Sequence, residues 1–430
     1  MKYLDKLIKG EIKPYRLEDL ILGGKEIDRA EWKVIEKKAQ RLRRRYYEYL
    51  VKKTQGLPQE WTLERNLLFP YSSPECKLIG KPQIENSLIG PYGFVGPVNI
   101  HGIFANGDYY PILFTWETQL IRAINAGASH ARRYGGINTV VEDNGMTRAP
   151  LIIAKSENEA MDFIKFVQSK KGRLRKLIDS RMNHGYFMGI DSFRHENAIY
   201  LRMRFNTGDS MGMNMATFEA DIATKWLVKH FRGNVKYISV SSNMCTDKKV
   251  TPINAILGRG KRVDVHIKIP LEELKSYLAE SKRSISEFRK MIDLKNKGSD
   301  IAGGGIGTHN THVANIVGNM FPAYAQDHGQ IGTSSMADKY LELEKGFLKY
   351  SLTMYCLEVG TVGGGTDYKP ANIFLQALGC RDPITDRPYK NSALKFAEII
   401  GATAICGELG TDLALIKGVL PEYHRNATRK

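Results

Sequence analysis

Residues 149–170 read APLIIAKSENEAMDFIKFVQSK. Leu151 to Ala154 is a short apolar run that predicts a strand, and Ser156 and Glu159 stand at capping-box spacing, opening a helix through about Ser169. The same alternation of periods continues downstream. Tyr186 to Asp191 predicts a strand, and Ala198 to Phe205 alternates as another. Met211 to Phe231 reads as a helix with Phe218, Ile222 and Trp226 on one face, and Val235 to Val240 as a last strand. The order β-α-β-β-α-β over residues 149–242 is a ferredoxin-like arrangement.

Working outward, residues 1–75 read as a small helical region. Asp28 and Glu31 have capping-box spacing, and Trp32, Ile35, Ala39, Leu42, Tyr46 and Leu50 recur at helical intervals until Gly56 to Pro58. Pro91 to Ile103 predicts turns and short strands, and Tyr109 to Phe114 a strand. A helix runs from about Trp116 to Arg133 and is stopped by Gly135 and Gly136. Beyond 242, Val263 to Ile269 alternates as a strand and Leu271 to Leu294 reads as a helix or helix pair. Ser299 to Gly307 is a glycine-rich loop, and His309, His312 and Asn315 fall on a predicted helix. Phe396 to Leu420 is apolar but carries Glu398, Glu408, Asp412 and Lys417, so it reads as a buried helix pair.

The 430 residues are 42% hydrophobic and 25% charged, the balance of a soluble globular protein with two or three domains. No uninterrupted apolar run reaches the ~18 residues of a spanning helix, and MKYLDKLIKG lacks a signal-peptide core. A cytoplasmic protein without membrane attachment is expected. The five cysteines, Cys76, Cys245, Cys356, Cys380 and Cys406, form no CxxC pair, so reduced thiols are expected rather than a zinc site. The net charge of +17 asks for an anionic partner. Much of it sits in Lys37, Lys38, Arg41, Arg43, Arg44 and Arg45, a solvated helix face rather than a nucleic-acid motif.

Residues 244–263 read MCTDKKVTPINAILGRGKRV. Asp247, Lys248 and Lys249 could be a solvated turn, or a place where an ammonium holds a developing negative charge. Gly208 to Met215 lies between a strand and a helix, where free N–H groups favour phosphate, yet it is not GxGxxG. Gly360 to Thr366, GTVGGGT, suits close approach of a flat or phosphorylated ligand, or a tight turn. Asp327, within Gln326 to Gln330, could orient a lysine or cap a helix. Glu117 at a helix start and the late His424 could each be a proton donor or a plain surface group. His309 and His312 have no third ligand at a convincing spacing, so no metal is expected.

Taken in order, Glu85 to Gly90 (ENSLIG), Gly145 to Arg148 (GMTR), Gly208 to Met215, Asn243 to Asn254, Gly258 to Lys261, Gln326-Asp327 and Gly360 to Thr366 resemble the 3-hydroxy-3-methylglutaryl-coenzyme A reductase family over roughly residues 80–430. The resemblance implies an α+β fold. It has the helical region 1–75, a large mixed α/β catalytic domain from 76–148 and 243–430, and the ferredoxin-like cofactor domain 149–242 inserted in it. It implies reduction of hydroxymethylglutaryl-coenzyme A to mevalonate and coenzyme A, a step of isoprenoid synthesis, with two hydrides from NADPH, NADH being possible. Lys248 would stabilise the oxyanion, Asp327 hold Lys248, Glu117 protonate the aldehyde oxygen and His424 protonate the departing thiolate. Arg148, Ser241, Asp247 and Lys249 would hold the substrate carboxylate, with Asn125, His312 and Asn315 towards coenzyme A or substrate. Asp209, Met213, Asn214, Gly363, Gly364 and Gly365 would line the cofactor. A homodimer or higher homo-oligomer with sites at the interface is implied, without the membrane anchor of eukaryotic members.

The chain departs from the family pattern at Thr115-Trp116-Glu117-Thr118-Gln119, at Asn125-Ala126-Gly127, at Met182-Asn183-His184, where Arg181 could serve the cofactor phosphate, and after His424. Two other readings follow. One is a divergent reductase of another acyl-coenzyme A thioester. The other is a non-catalytic anion- or nucleic-acid-binding protein reusing the fold, motivated by the charge.

Overall fold

A computed structural model describes residues 2–13, 17–23, 29–61, 91–368, 370–422 and 425. Asp28 of the first capping box, the ENSLIG string, Cys76 and His424 lie outside the described residues.

The largest sheet has six strands in the order Ala337–Glu344, Phe347–Leu357, Lys261–Pro270, Ile137–Asp143, Val98–His101, Asn106–Tyr109. All neighbours are antiparallel except Val98–His101 with Ile137–Asp143. Lys261–Pro270 shows why the sequence alternates: Val263, Val265, Ile267 and Ile269 all turn into the core while Arg262, Asp264 and His266 do not. Each such apolar side chain stabilises the fold by roughly 1.5–3 kcal/mol. Over this sheet lie the helices Ser392–Lys417 and Thr118–Arg133.

Phe396 to Leu420, expected as a helix pair, is instead most of one helix, Ser392–Lys417. Its glycines are packing sites, not breaks. A Cβ on Gly410 would strike the Ala123 carbonyl, and one on Gly127 of the facing helix would strike the Cys406 carbonyl. The two backbones therefore touch. Its acidic residues are tolerated because each finds donors, as Glu398 does in the N–H groups of Phe104 and Ala105. By length and composition the helix could cross a membrane, but 83% of its most apolar window is buried inside the protein.

Residues 146–239 form the second sheet, in the order Val235–Ser239, Leu151–Ala154, Ala198–Asn206, Tyr186–His195, all antiparallel. Met146–Arg148 pairs with the far end of Ala198–Asn206. The helices Glu157–Ser169, Lys171–Asp179 and Met213–His230 supply a separate hydrophobic cluster with this sheet. Ser156 caps the first of them through Glu159 N, but the Glu159 carboxylate turns to Lys155 N and Asn234 N, so the expected box is half made. In Met213–His230 the buried face is Ala216, Ala220, Ala223 and Leu227. Phe218, expected on that face, is 65% exposed, because the small alanines allow the closer approach.

Tyr109 to Phe114, expected as one strand, is broken into Asn106–Tyr109 and Ile112–Phe114 around Pro111, which has no N–H to give a ladder. Leu271 to Leu294 resolves into Leu271–Ala279 and Ile285–Ile301, the latter opened by a full capping box from Ser284 and Glu287. His309 and His312 sit in a loop, and the helix starts only at Val313. The N-terminal helices Lys2–Ile8, Leu17–Leu22 and Arg29–Gln55 share a small cluster centred on Leu7, Leu17 and Ala39.

Candidate active site

The loop after the second sheet carries Lys248. Asn243, Thr246 and Lys248 hold φ of 66°, 58° and 60°, the left-handed region that costs a non-glycine residue roughly 1–3 kcal/mol. The loop keeps this shape because its polar groups are spoken for. Thr246 N donates to Asn243 O at 2.8 Å and Lys249 N to Thr246 O at 3.1 Å. The Thr246 hydroxyl donates to Asn254 Oδ1, whose amide nitrogen donates back to Lys249 O at 2.9 Å. Thr147 Oγ1 donates to Cys245 O at 2.7 Å.

That conformation carries Lys248 Nζ to 3.1 Å from Asp327 Oδ2. Asp327 is itself fixed, since its other oxygen accepts Gly329 N at 2.9 Å. A Cβ on Gly329 would lie 2.8 Å from Lys248 Nζ, so a side chain there would push the ammonium aside. With Lys248 48% and Asp327 30% exposed, solvent screens the pair and its stabilising contribution is at most about 1 kcal/mol. Its value is positional: an ammonium held in place at an open surface can receive an oxyanion.

Asp247 faces the opposite way. Its Oδ1 accepts Arg259 Nη2 at 2.9 Å and Gln330 Nε2 at 2.8 Å, and Arg148 Nη1 lies 3.6 Å from Oδ2. Arg259 is fully buried and pairs also with the fully buried Glu358 at 2.5 Å. Burial pushes the Glu358 carboxyl up to about 7, against the pull of Arg259 and with a further push from the Asp247 and Asp327 carboxylates. Lys249 Nζ reaches the backbone oxygen of Asp247 at 3.1 Å, and Ser241 Oγ lies 3.5 Å from Cys245 Sγ. Arg148, Ser241, Asp247 and Lys249 thus gather around one loop. The Asp247 carboxylate, however, is already taken by protein donors.

The two glycine-rich strings meet each other. Ser210 bridges Val362, and Thr361 N donates to Asp209 O at 2.8 Å. Gly363 and Gly364, at φ of 75° and 61°, face open space where a Cβ would stand, while Gly365 backs onto Ala325. The start of Met213–His230 has no side-chain cap, which leaves its first N–H groups free for an anion. Asn214 is exposed there, and Met213 Sδ lies 3.3 Å from Arg259 Nη2. Asp209 spends both carboxylate oxygens on Asn391 N and Ala393 N, at the start of Ser392–Lys417.

Other expected residues stand apart. Glu117 is the exposed N-cap of Thr118–Arg133, and its carboxylate makes no hydrogen bond or ion pair among the described residues. Asn125 Oδ1 accepts Gly96 N at 2.8 Å, so this side chain braces a turn. His312 Nε2 lies 2.9 Å from Gly407 O and 2.8 Å from Thr411 Oγ1, and Asn315 is exposed one turn on.

The family model described as Hydroxymethylglutaryl-coenzyme A reductase matches residues 61–429. The chain belongs to the hydroxymethylglutaryl-coenzyme A reductase family. Similar relatives include the 3-hydroxy-3-methylglutaryl-coenzyme A reductases of Methanocaldococcus jannaschii, 33% identical over 99% of this chain and 98% of the relative, and of Pyrococcus horikoshii, 34% identical over 98% and 96%. Among solved structures, the reductase of Streptococcus pneumoniae shares the fold with a TM-score of 0.60 at 17% identity, covering 80% of this chain and 93% of that one.

Motif reading of this family member named Arg259 only as part of GRGK and Gln330 only as the end of Gln326 to Gln330, and passed over Glu358. The signal was present: an arginine between two glycines inside a buried strand entry needs counter-charges, and Glu358 directly precedes VGTVGGGT. The buried Lys339 was passed over as well, and Glu408 and Asp412 were read only as charges in an apolar segment. Lys339 Nζ donates to Glu408 Oε2 at 2.8 Å and to Asp412 Oδ2 at 2.5 Å. Only a three-dimensional arrangement brings these together.

Proposed function

We propose that this chain reduces 3-hydroxy-3-methylglutaryl-coenzyme A to mevalonate and coenzyme A, and that the observation carrying the residue roles is the Lys248–Asp327 pair on its strained loop. NADPH, when bound, supplies the two hydrides. Lys248 Nζ stabilises the negative charge that grows on the thioester oxygen and then on the aldehyde oxygen. Asp327 holds that ammonium in place. Glu117 delivers a proton to the aldehyde oxygen, and His424 to the departing thiolate sulfur. Arg148, Ser241 and Lys249 hold the substrate carboxylate, with Asp247 orienting Arg148. Asn125, His312 and Asn315 face the coenzyme A side.

For the cofactor, the open space over Gly363 and Gly364 and the uncapped start of Met213–His230 fit a flat, phosphorylated molecule. Met213 and Asn214 line it. Asp209 shapes the site by pinning the loop to Ser392–Lys417. Arg181 suits the cofactor phosphate, with one N–H on Glu219 at 3.1 Å and its side chain 45% exposed.

The separate cluster from Met146 to Leu227 supports an inserted unit at about 149–242, and Leu7, Leu17 and Ala39 form a cluster of their own, while Val51, Leu57 and Trp61 of the 1–75 region pack into the core of the 76–148 and 243–430 domain. The sheet order of that insert, with its two helical crossovers, supports reading it as a ferredoxin-like unit. Val250 and Ile256, exposed beside the Lys248 loop, suit cover by a second copy in a homodimer.

Mixing the purified oligomer with the thioester and NADPH, and following nicotinamide absorbance, tests the reading. Two cofactors oxidised per mevalonate is the expected result. No oxidation by a dimeric preparation sinks it, and a faster rate on another acyl-coenzyme A transfers it to that substrate.

A further inference from the structure

Arg259 uses its whole guanidinium inside the protein. Nε donates to Glu358 Oε1 at 2.5 Å. Nη1 donates to Thr147 O and Cys245 O, each at 3.1 Å, and to the Thr147 hydroxyl. Nη2 donates to Asp247 Oδ1 at 2.9 Å and touches Met213 Sδ. One side chain therefore joins four segments: the Met146–Arg148 strand entering the smaller sheet, the loop leaving it, the start of Met213–His230, and the end of Phe347–Leu357. Glu358 is positioned in turn, since its backbone N donates to Ser334 Oγ at 3.1 Å.

The bonds to Cys245 and Asp247 bracket Thr246 and end next to Lys248. The loop there holds three non-glycine residues at positive φ, a conformation that persists only where surroundings over-determine it. A planar five-donor fork, rigidly paired behind by a buried carboxylate, is suited to that task in a way a lysine is not. We infer that Arg259, backed by Glu358, is the positioning residue of the reaction centre: it locks the 243–249 loop so that Lys248 meets Asp327, and ties that loop to the helix start on the cofactor side. This rests on Lys248 being the catalytic lysine.

Arg259→Lys keeps the charge and loses the fork. Two measurements read it. Hydrogen exchange at the amides of Thr246 and Lys249, both hydrogen-bonded within the loop, is expected to speed by at least about tenfold. The kcat is expected to fall by about tenfold or more with KM for the thioester changed less than about threefold. A folded variant with wild-type exchange and wild-type kcat overturns the inference. So does a loss confined to KM. Should Arg259→Lys fail to fold, Gln330→Leu, which removes only the 2.8 Å strut on Asp247, is read by the same two measurements with smaller shifts in the same direction. No change in either then overturns it. If the wild-type protein does not turn over the thioester at all, the functional reading fails, while the exchange measurement still decides the role of Arg259 in the loop.

Discussion

Two of the buried ion clusters among the described residues are built to opposite ends. In one, Lys339 and Lys295 face Glu408 and Asp412, with Tyr350 Oη donating to Asp412 at 2.7 Å and Thr311 Oγ1 accepting from both lysines. Charges balance there. Although burial opposes both, the two lysines hold the Asp412 carboxyl below its ordinary value, and Asp412 and Glu408 hold Lys339 above its own. In the other, Arg259 is shared between Glu358 and Asp247. Glu358 Oε2 is buried without a partner, and its carboxyl is pushed up rather than down. The first cluster is satisfied and suits stability. The second is left short of donors beside Lys248, as a reaction centre tolerates and a scaffold does not.

The largest effect should come from breaking the satisfied cluster. Lys339→Met leaves two buried carboxylates with a single cation, Lys295, which meets only Asp412, and denaturant unfolding should show a loss of about 3–5 kcal/mol. Adding Asp412→Leu should recover more than half of that. If the single variant is as stable as the parent, the contrast is wrong. Lys248→Ala should do the reverse: kcat down by about 10²–10³-fold, with the melting temperature nearly unmoved.

The pH dependence separates the clusters by sign. Glu358 titrates higher in the folded state than its ordinary 4.5. Its contribution is therefore complete below 4.5 and lost as pH climbs through about 7, on the order of 3 kcal/mol at most. In Glu358→Gln that decline should vanish from unfolding curves taken across the interval. Asp412, held low, contributes above its ordinary 3.8 and loses this as pH falls through its folded value. The smallest effect belongs to a charge outside both clusters. Arg181→Met should raise KM for NADPH by roughly fivefold and leave that for NADH unchanged, about 1 kcal/mol for one half-exposed pair.

Much of this was legible in the chain, and the reasons differ by region. Strands and helices of residues 149–242 could be read because their buried faces follow a simple period, as Ile152, Ile199, Leu201 and Met203 do. Lys248 and Asp327 could be named because the motif order is so distinctive, and they do meet. The long Ser392–Lys417 helix was misread as a pair because its charged residues look like interruptions until their partners are placed. The pairing of Asp247 with Arg259 was not legible, since nothing local reveals which way a charged side chain turns. Lys339 and Asp412 lie far apart in sequence, so no spacing rule could pair them.

The contact between Gly127 and Gly410 has a consequence for how this chain can change over time. At those two positions the helices Thr118–Arg133 and Ser392–Lys417 have no room for even one methyl group. Any lineage that replaces either glycine must re-seat the whole Thr118–Arg133 helix. Glu117, roughly three turns upstream, would move with it. The placement of that carboxylate is thus inherited through two buried glycines far along the helix, and drift at either of them would first be felt at Glu117.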